Sequence, residues 1–575
     1  MPHDPELCSR VRTLYNDAKA ARQLRIERWQ RAYRLINNQA WSPLREPWQP
    51  SPSASEIYPI TAAMAGWMTD MRPGVEFLPM MYPGTPIANG LQQLATDMEV
   101  CFKSSWLQNE EDAELERVLW DAMVYGTGFA KTVWDPAAAD GYGDARFTRL
   151  DPFSCYPDPK AHSFDDANYF LEVRRMAIQD IDRRFPGTAR KLRELAGMKD
   201  EPIQEREDPF RSQGRVPMSN TGAISPVTAP MWGLPGQTSR ESVFRDEGVT
   251  VFECWMREHE TIENEGEPPY VKDRWRVVIT AADEVLVDEK AEDLYKHGQH
   301  PYARYVLADL GEFWGISLVD HLAPLQIALN RLLAAVQSHA ELVGNPVFLE
   351  PSNSGIPRTR VTNRAGQRLT VNQAAVGGIQ WLQPPSMSKE VTDLIQFYIG
   401  EMERVSGLTA TSRGNMPQGR NAEGVVDAVQ EAAFVRVRLA LRSLERTIRE
   451  IARRKASMIA DFYTEPRMLS IVGDSGATTS MALRRNHFYA RDVDQNAPAP
   501  FRFSVVAQAG GEQPISRRAR EAQAVRLFAM GAIDRIALLE WLDWPNRDAI
   551  VQRIGQMEAT GSFQPPGSRS STRNS

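Results

Sequence analysis

Residues 406–462 read SGLTATSRGNMPQGRNAEGVVDAVQEAAFVRVRLALRSLERTIREIARRKASMIADF. From Val426 through Val429, Ala433, Val437, Ala440, Leu444, Ile448 and Ile451, apolar residues return every three or four positions without a break. That spacing predicts one amphipathic helix over about 422–462. At ~1.5 Å per residue it would run roughly 60 Å, more than a compact domain needs, so it is expected to cross a layered assembly. Before it lies a different kind of segment. Ser406 to Asn421 is hydroxyl-rich and Gly-containing, and it carries Arg413 and Arg420 with no acidic residue between them. A connection of that composition can touch a phosphate backbone without reading sequence, or it can be an ordinary surface loop. Within the helix, Arg438, Arg442, Arg446, Arg449 and Arg453 fall on one stripe. The stripe reads as a solvated or intersubunit salt-bridge face, with Glu431, Glu445 and Glu450 as partners, or as a face that meets phosphate.

Further helices flank this pair. Ser388 caps one carrying Val391, Leu394, Tyr398, Met402 and Val405, which stops at Ser406-Gly407. Ser317 with Asp320 opens another, with the stripe Leu322, Leu325, Leu329, Leu332, Val336 and Ala340, closed by Gly344-Asn345-Pro346. Pro324 is expected to kink it or to mark its true start. A Pro-punctuated, β-like segment, 345–385, joins the two.

Toward the N-terminus, residues 6–37 read as an amphipathic helix with Leu7, Val11, Leu14, Ala18, Arg25, Trp29 and Ile36 on one face, and Arg22, Arg28, Arg31 and Arg34 mostly elsewhere. Trp41 to Pro59 reads as a linker, followed by helices at 86–108 and 110–125. Strands are expected at 129–134, 145–150, 169–174, 249–258 and 273–279, with a helix at 178–195. Residues 203–245 show no periodicity and read as a long insertion. Past the long helix, strands are expected at 468–472, 485–490 and 500–508. Short helices should follow at 516–530 (Ser516 cap, Gly531 stop), 534–543 and 546–554, then a polar tail, Gly561 to Ser575. The fold class is α+β.

Composition narrows function. At 575 residues the chain should form two to four units. A net charge of -7 argues against a protein that coats DNA tightly. Cys8, Cys101, Cys155 and Cys254 are scattered, so a reduced, cytoplasmic history is expected. No signal peptide is read, and the richest apolar run, 322–336, is broken by Gln326, Asn330 and Arg331, so no membrane span is expected.

Catalytic motifs are scarce. No GxxxxGK[ST] loop exists. Gly126-Thr127-Gly128 reads as a helix stop before a strand. His297 and His300 have no third ligand nearby, so no metal or other cofactor is expected. Asp165-Asp166 and Glu110-Glu111-Asp112 could be nuclease carboxylates, but the latter run suits the acidic first turn of a helix.

The order of these parts resembles the portal (head-to-tail connector) family of tailed bacteriophages, especially its short-tailed-phage branch. Residues 118–136 (VLWDAMVYGTGFAKTVWDP) with 150–159 (LDPFSCYPDP), 315–330 (GISLVDHLAPLQIALN), 406–431 and 528–550 carry the resemblance. It implies a portal fold, with helical stem and crown, a mixed α/β wing and a small β-containing clip. On that pattern 1–310 holds the N-terminal helix and wing, with 311–344 and 387–405 as stem helices and 345–386 as clip. Residues 406–421 are the tunnel loop, 422–465 the long helix, 466–510 the wing's return strands, 511–556 the crown and 557–575 a tail.

The resemblance further implies a non-enzymatic ring, usually of twelve subunits, at one capsid vertex of the virion, assembled in the host cytoplasm. The ring would conduct double-stranded DNA during packaging and ejection. Its partners would be the terminase large subunit, a head-completion or tail adaptor protein, and the major capsid and scaffolding proteins. Arg413, Arg420, Ser412 and Asn415 are then expected to face DNA, and Arg358, Arg360, Arg364 and Arg368 to dock partners at the clip. Arg438, Arg442, Arg446, Arg449 and Arg453 would pack subunits together. A nuclease-like packaging factor and a tail adaptor that never meets DNA are the competing readings.

Overall fold

The computed structural model describes residues 4–41, 49–70, 74–79, 90–192, 248–262, 270–344, 389–408 and 422–472, with shorter pieces between 347 and 388 and between 478 and 550. Four helices open the chain: α1 (Pro5–Ile36), α2 (Ile57–Asp70), α3 (Gly90–Gln108) and α4 (Glu111–Tyr125). Asp4 caps α1 by accepting from the Glu6 and Leu7 N–H groups, as an N-cap carboxylate does. Of these, α2 was not expected: it starts in the last three residues of the expected linker and runs on beyond Pro59. Pro59 falls in its first turn, where a missing N–H costs nothing.

Two antiparallel sheets fill the region expected to be the wing. One has the order β3-β2-β9, from β2 (Thr127–Asp135), β3 (Asp144–Leu150) and β9 (Tyr302–Val306). The other runs β4-β5-β6-β7-β8, from β4 (Cys155–Pro157), β5 (Tyr169–Ala177), β6 (Gly248–Ile262), β7 (Tyr270–Ala281) and β8 (Glu284–Lys290). A fifth helix, α5 (Ile178–Arg184), ends earlier than the expected 178–195. Pro186-Gly187 breaks it, Gly187 taking a φ of 88°, and the backbone is helical again at 189–192.

The region expected to be the stem is a helical hairpin, α6 (Leu318–Gly344) and α7 (Lys389–Ser406), whose far ends carry the two-stranded β10 (Val347–Leu349) and β11 (Gln380–Leu382). Ser317 caps α6 by accepting from the Asp320 N–H at 2.8 Å, and the helix runs on through Pro324. Gln326 and Asn330 interrupt its apolar stripe for a reason: they accept from the backbone N–H groups of Glu56 and Ala54.

The long helix, α8, spans Ala422–Phe462, as the spacing predicts. Beyond it come β12 (Arg467–Val472), β13 (Thr478–Leu483), β14 (Tyr489–Ala490), β15 (Ala499–Pro500) and β16 (Phe503–Gln508). The last pairs with β1 (Gly74–Pro79), closing the wing across the length of the chain. The main core joins α2, α3, α4 and α8 around Met68, Met98, Leu119, Ile448 and Ile459. Of the expected crown, residues 524–529 are helical, and Gly531 follows at a φ of 71°.

Candidate functional site

The second half of α8 is seated on the wing by polar side chains that reach specific groups. Thr447 donates to the Arg304 carbonyl at 2.8 Å, and Arg454 Nε donates to the His300 carbonyl at 3.0 Å. Both acceptors lie on or beside the edge strand β9, so the helix occupies backbone acceptors that an open edge would leave to strangers. Lys455 Nζ donates to Glu111 at 2.6 Å with neither side chain exposed. Tyr463, just past the helix, donates to Asp144 at 2.7 Å.

Glu111 and Asp112 stand in the first turn of α4, as the acidic run predicts, but Glu111 is buried and paired as well. It also accepts from the Phe147 N–H, and burial lifts its carboxyl to about 7 while Lys455 holds it down. Asp112 accepts from the Trp106 indole. These acids organise the wing.

The opposite face of α8 carries the arginine stripe. Arg438, Arg442, Arg446, Arg449 and Arg453 are all exposed. Arg446 lies 3.9 Å from Asp309, and no ion pair joins the other four to a described residue. Glu450, expected to serve the stripe, instead meets Arg454 on the buried side at 3.3 Å.

In the hairpin, α7 has a broad apolar face that is only partly covered. Met402 is buried and Tyr398 half-buried, whereas Leu394, Phe397 and Val405 are exposed, Phe397 by 59%. On α6 the expected stripe is buried at Leu322 and Leu329 but opens out at Ala340, and Leu342 and Val343 are exposed beyond it. The hairpin thus projects an uncovered apolar surface of the kind that marks protein contact.

Arg22 is the clearest correction to the α1 face. Its side chain is buried, donates to the Cys155 carbonyl at 2.5 Å and the Pro152 carbonyl at 3.1 Å, and lies 3.8 Å above the Tyr156 ring. Arg25, placed on the inner face, reaches Glu312 at the surface instead.

Between the two sheets sits a second charged group. Lys131 Nζ meets Glu172 at 2.8 Å and Glu253 at 2.6 Å, the Tyr302 hydroxyl lies 3.1 Å from each carboxylate, and Arg174 pairs with Glu172. Lys131, above all, keeps the Glu253 carboxyl below its ordinary value against the effect of burial. A cleft of about 470 Å³, counting space open to solvent, lies between this group and α5, walled by Ile181, Phe185 and Leu286. Lys131, Glu172, Arg174 and Glu253 are matched among themselves, and Arg184, which also lines the cleft, is exposed.

The candidate catalytic groups are not brought together. Asp166 accepts from the His162 and Ser163 N–H groups, and its carboxyl is held low by those bonds. His300 is buried against Phe164 and Trp275, and burial keeps it far below the usual histidine range. No group of three His, Cys, Asp or Glu among the described residues is arranged to hold a metal. None of the described helices is long and apolar enough to cross a membrane. Residues 409–421, with Ser412, Arg413, Asn415 and Arg420, and residues 357–369, with Arg358, Arg360, Arg364 and Arg368, lie outside the described residues, as does 203–245.

Sequence reading missed Lys455, Arg22 and Phe397 on α7. The last was legible: three residues from Leu394, it widens the stripe of Val391, Leu394, Tyr398, Met402 and Val405 on one side.

No curated protein matches the chain. A family model of phage P22-like portal proteins matches residues 12–571, nearly its whole length, and the α+β architecture, with both helices and strands, agrees with that match. The chain belongs to the P22-like portal protein family.

Proposed function

We propose that this chain is one subunit of a closed ring, twelve-membered as is usual for portals, set at one capsid vertex and threaded by double-stranded DNA. The observation that carries the reading is the uncovered apolar face of the α6–α7 hairpin in a chain of this family. A heterologous ring needs one surface of each subunit to fit a different surface of the next, and a hairpin with a partly uncovered apolar stripe supplies one. The exposed arginines of α8 extend the contact beyond the stem. They are read as subunit-packing groups, because Leu439, itself exposed, lies beside them and suits a protein neighbour better than a phosphate backbone.

The connection 406–421 then faces the channel. Gly407, at a φ of 75°, turns the chain off α7, and α8 begins 15 residues later. Arg413 and Arg420, with Ser412 and Asn415, would give weak, salt-dependent phosphate contact, which suits a conduit because tight binding would stall translocation. The clip arginines Arg358, Arg360, Arg364 and Arg368 would meet the terminase large subunit during packaging and an adaptor protein afterwards. The wing and crown would face major capsid and scaffolding proteins.

Negative-stain imaging of the purified chain tests the reading. A monodisperse ring with a central channel supports it, and a compact monomer at micromolar concentration would sink it.

A further inference from the structure

We propose that residues 52–56 are a strap that couples the α6–α7 hairpin to α1, so that loosening its hold on either helix loosens the other. At the α6 end the side-chain amide of Gln326 takes the place of a peptide group. Its oxygen accepts from the Glu56 N–H at 3.1 Å, and its nitrogen donates to the Ala54 carbonyl. The second hydrogen on that nitrogen goes to Asn330 Oδ1 at 3.0 Å, which also accepts from the Ala54 N–H at 3.2 Å. One strap partner of Gln326 is a donor and the other an acceptor, so the network fixes which end of the amide is oxygen. Both side chains are buried. Among uncharged side chains of this length only an amide gives and accepts on one planar group, which is why an otherwise apolar stripe is interrupted here.

The other end of the strap answers to α1. Trp41, just past that helix, donates its indole N–H to the Pro52 carbonyl at 2.8 Å, and the Ser53 hydroxyl donates to Asn38 Oδ1. Asn38 stands at a φ of 59° in the turn that stops α1, where the Gln39 N–H donates to the Arg34 carbonyl at 2.7 Å. Farther up α1, Arg22 holds the turn into β4. A linker that needed only anchoring could be held by one element. This one is gripped between Pro52 and Glu56 by side chains of two, so a displacement of the hairpin has a bonded route into α1 and on to the five-stranded sheet. All of these bonds lie within one copy of the chain, so the coupling does not depend on ring formation.

Because α1 and α6 also touch directly, the test cuts strap bonds alone. Gln326→Met removes the amide at the α6 end, and Trp41→Phe removes the indole donor at the α1 end. Hydrogen–deuterium exchange of the full-length variants, resolved to single amides, is the readout. In Trp41→Phe the Glu56 amide should exchange at least about fivefold faster than in wild type, and in Gln326→Met the Gln39 amide should quicken by a similar factor, because coupling between two sites is reciprocal. The double variant should open the strap little further than either single one, as members of one unit do. Variants that each loosen only their own end would overturn the proposal. If Gln326→Met does not fold, Trp41→Phe decides alone, and a Glu56 amide that exchanges as in wild type sinks the strap as a coupling element.

Discussion

Gly126 and Gly315 cross backbone to backbone: a Cβ on Gly126 would lie 2.2 Å from the Gly315 carbonyl oxygen, and one on Gly315 would lie 2.3 Å from that of Gly126. Thr127 fastens the crossing, its hydroxyl accepting from the Gly315 N–H at 2.9 Å. The contact joins the end of α4 to the approach of α6, so it ties wing to stem. Gly126 also stands at a φ of 89°, where an L side chain is strained regardless of space.

Gly126→Ala and Gly315→Ala should each destabilise the protein by about 3 kcal/mol or more, since neither carbonyl can move without opening the crossing. Gly141 has a similar φ of 91° with nothing near its Cβ position, so Gly141→Ala should cost only about 1 kcal/mol. Calorimetric melting of the three variants checks the difference. Equal shifts would mean that backbone strain, and not the crossing, is what matters.

Arg22 gives the second prediction. Its guanidinium satisfies two carbonyls at the turn into β4, and Arg22→Met would leave both without this donor in a buried setting. A loss of about 3 kcal/mol is expected, with α1 becoming an early site of proteolysis. Arg22→Lys should recover less than half of that, because a lysine has no planar fork to span both carbonyls and stack on Tyr156. Melting curves and timed trypsin digestion read both effects, and full rescue by lysine would count against this account.

Much of the architecture was legible because it rests on local pattern. The bounds of α8 follow from spacing, and the Ser317 and Ser388 caps from side-chain chemistry. What escaped depends on partners far along the chain. Strand β1 is fixed by pairing with β16, from Gly74 opposite Gln508 to Pro79 opposite Phe503, and nothing in its six residues announces that. Lys455 sits in a run of cations and looks like one more solvated charge until Glu111, 344 positions earlier, is placed against it. Arg22 was misplaced for the same reason, since its recess is built from residues 152–156. The candidate DNA and clip arginines rest on resemblance and composition, with no long periodic pattern to place them, and both groups lie outside the described residues.

For the connection 406–421, the double variant Arg413→Glu, Arg420→Glu should leave ring assembly unchanged and impair genome packaging or retention. Reversing two charges would turn weak attraction into repulsion of the phosphate backbone, an effect that grows as salt is lowered. Complementation of a portal-deficient phage measures it. Normal packaging would remove any necessary DNA role from these two residues.

Acid should loosen the wing through Glu253. Its folded carboxyl is held below the ordinary 4.5, with Lys131 the main cause working against burial. A depressed carboxyl contributes stability that is fully present above its unfolded value. That contribution is lost as pH falls through the lower, folded value. At neutral pH, Glu253→Gln should therefore cost about 2 kcal/mol. The gap from wild type should narrow as pH drops below about 4.5. Melting temperatures taken across pH 7 to 3 decide the matter, and a gap that stays constant would mean that the carboxylate's charge is not what stabilises the wing.

Phe397 separates folding from assembly. Its ring is mostly exposed on α7, so Phe397→Glu removes little buried surface and should move the melting temperature of the unassembled chain by no more than about 0.5 kcal/mol of stability allows. In a ring whose seam covers that stripe, the same change buries an unpaired carboxylate and forfeits an aromatic anchor, together worth about 3 kcal/mol per contact. Because every subunit repeats the defect, the losses multiply around the circle, and the variant should remain monomeric at concentrations where wild type is fully assembled. Leu394→Glu should behave alike, since it lies one turn away on the same face. Arg449→Glu on α8 should weaken assembly less, as an exposed charge at a contact's rim acts more on the rate of encounter than on its strength. Mass photometry of the three purified variants orders these effects. If Phe397→Glu formed rings as readily as wild type, the α7 stripe would not be the seam, and the subunit contact would have to be sought along α8.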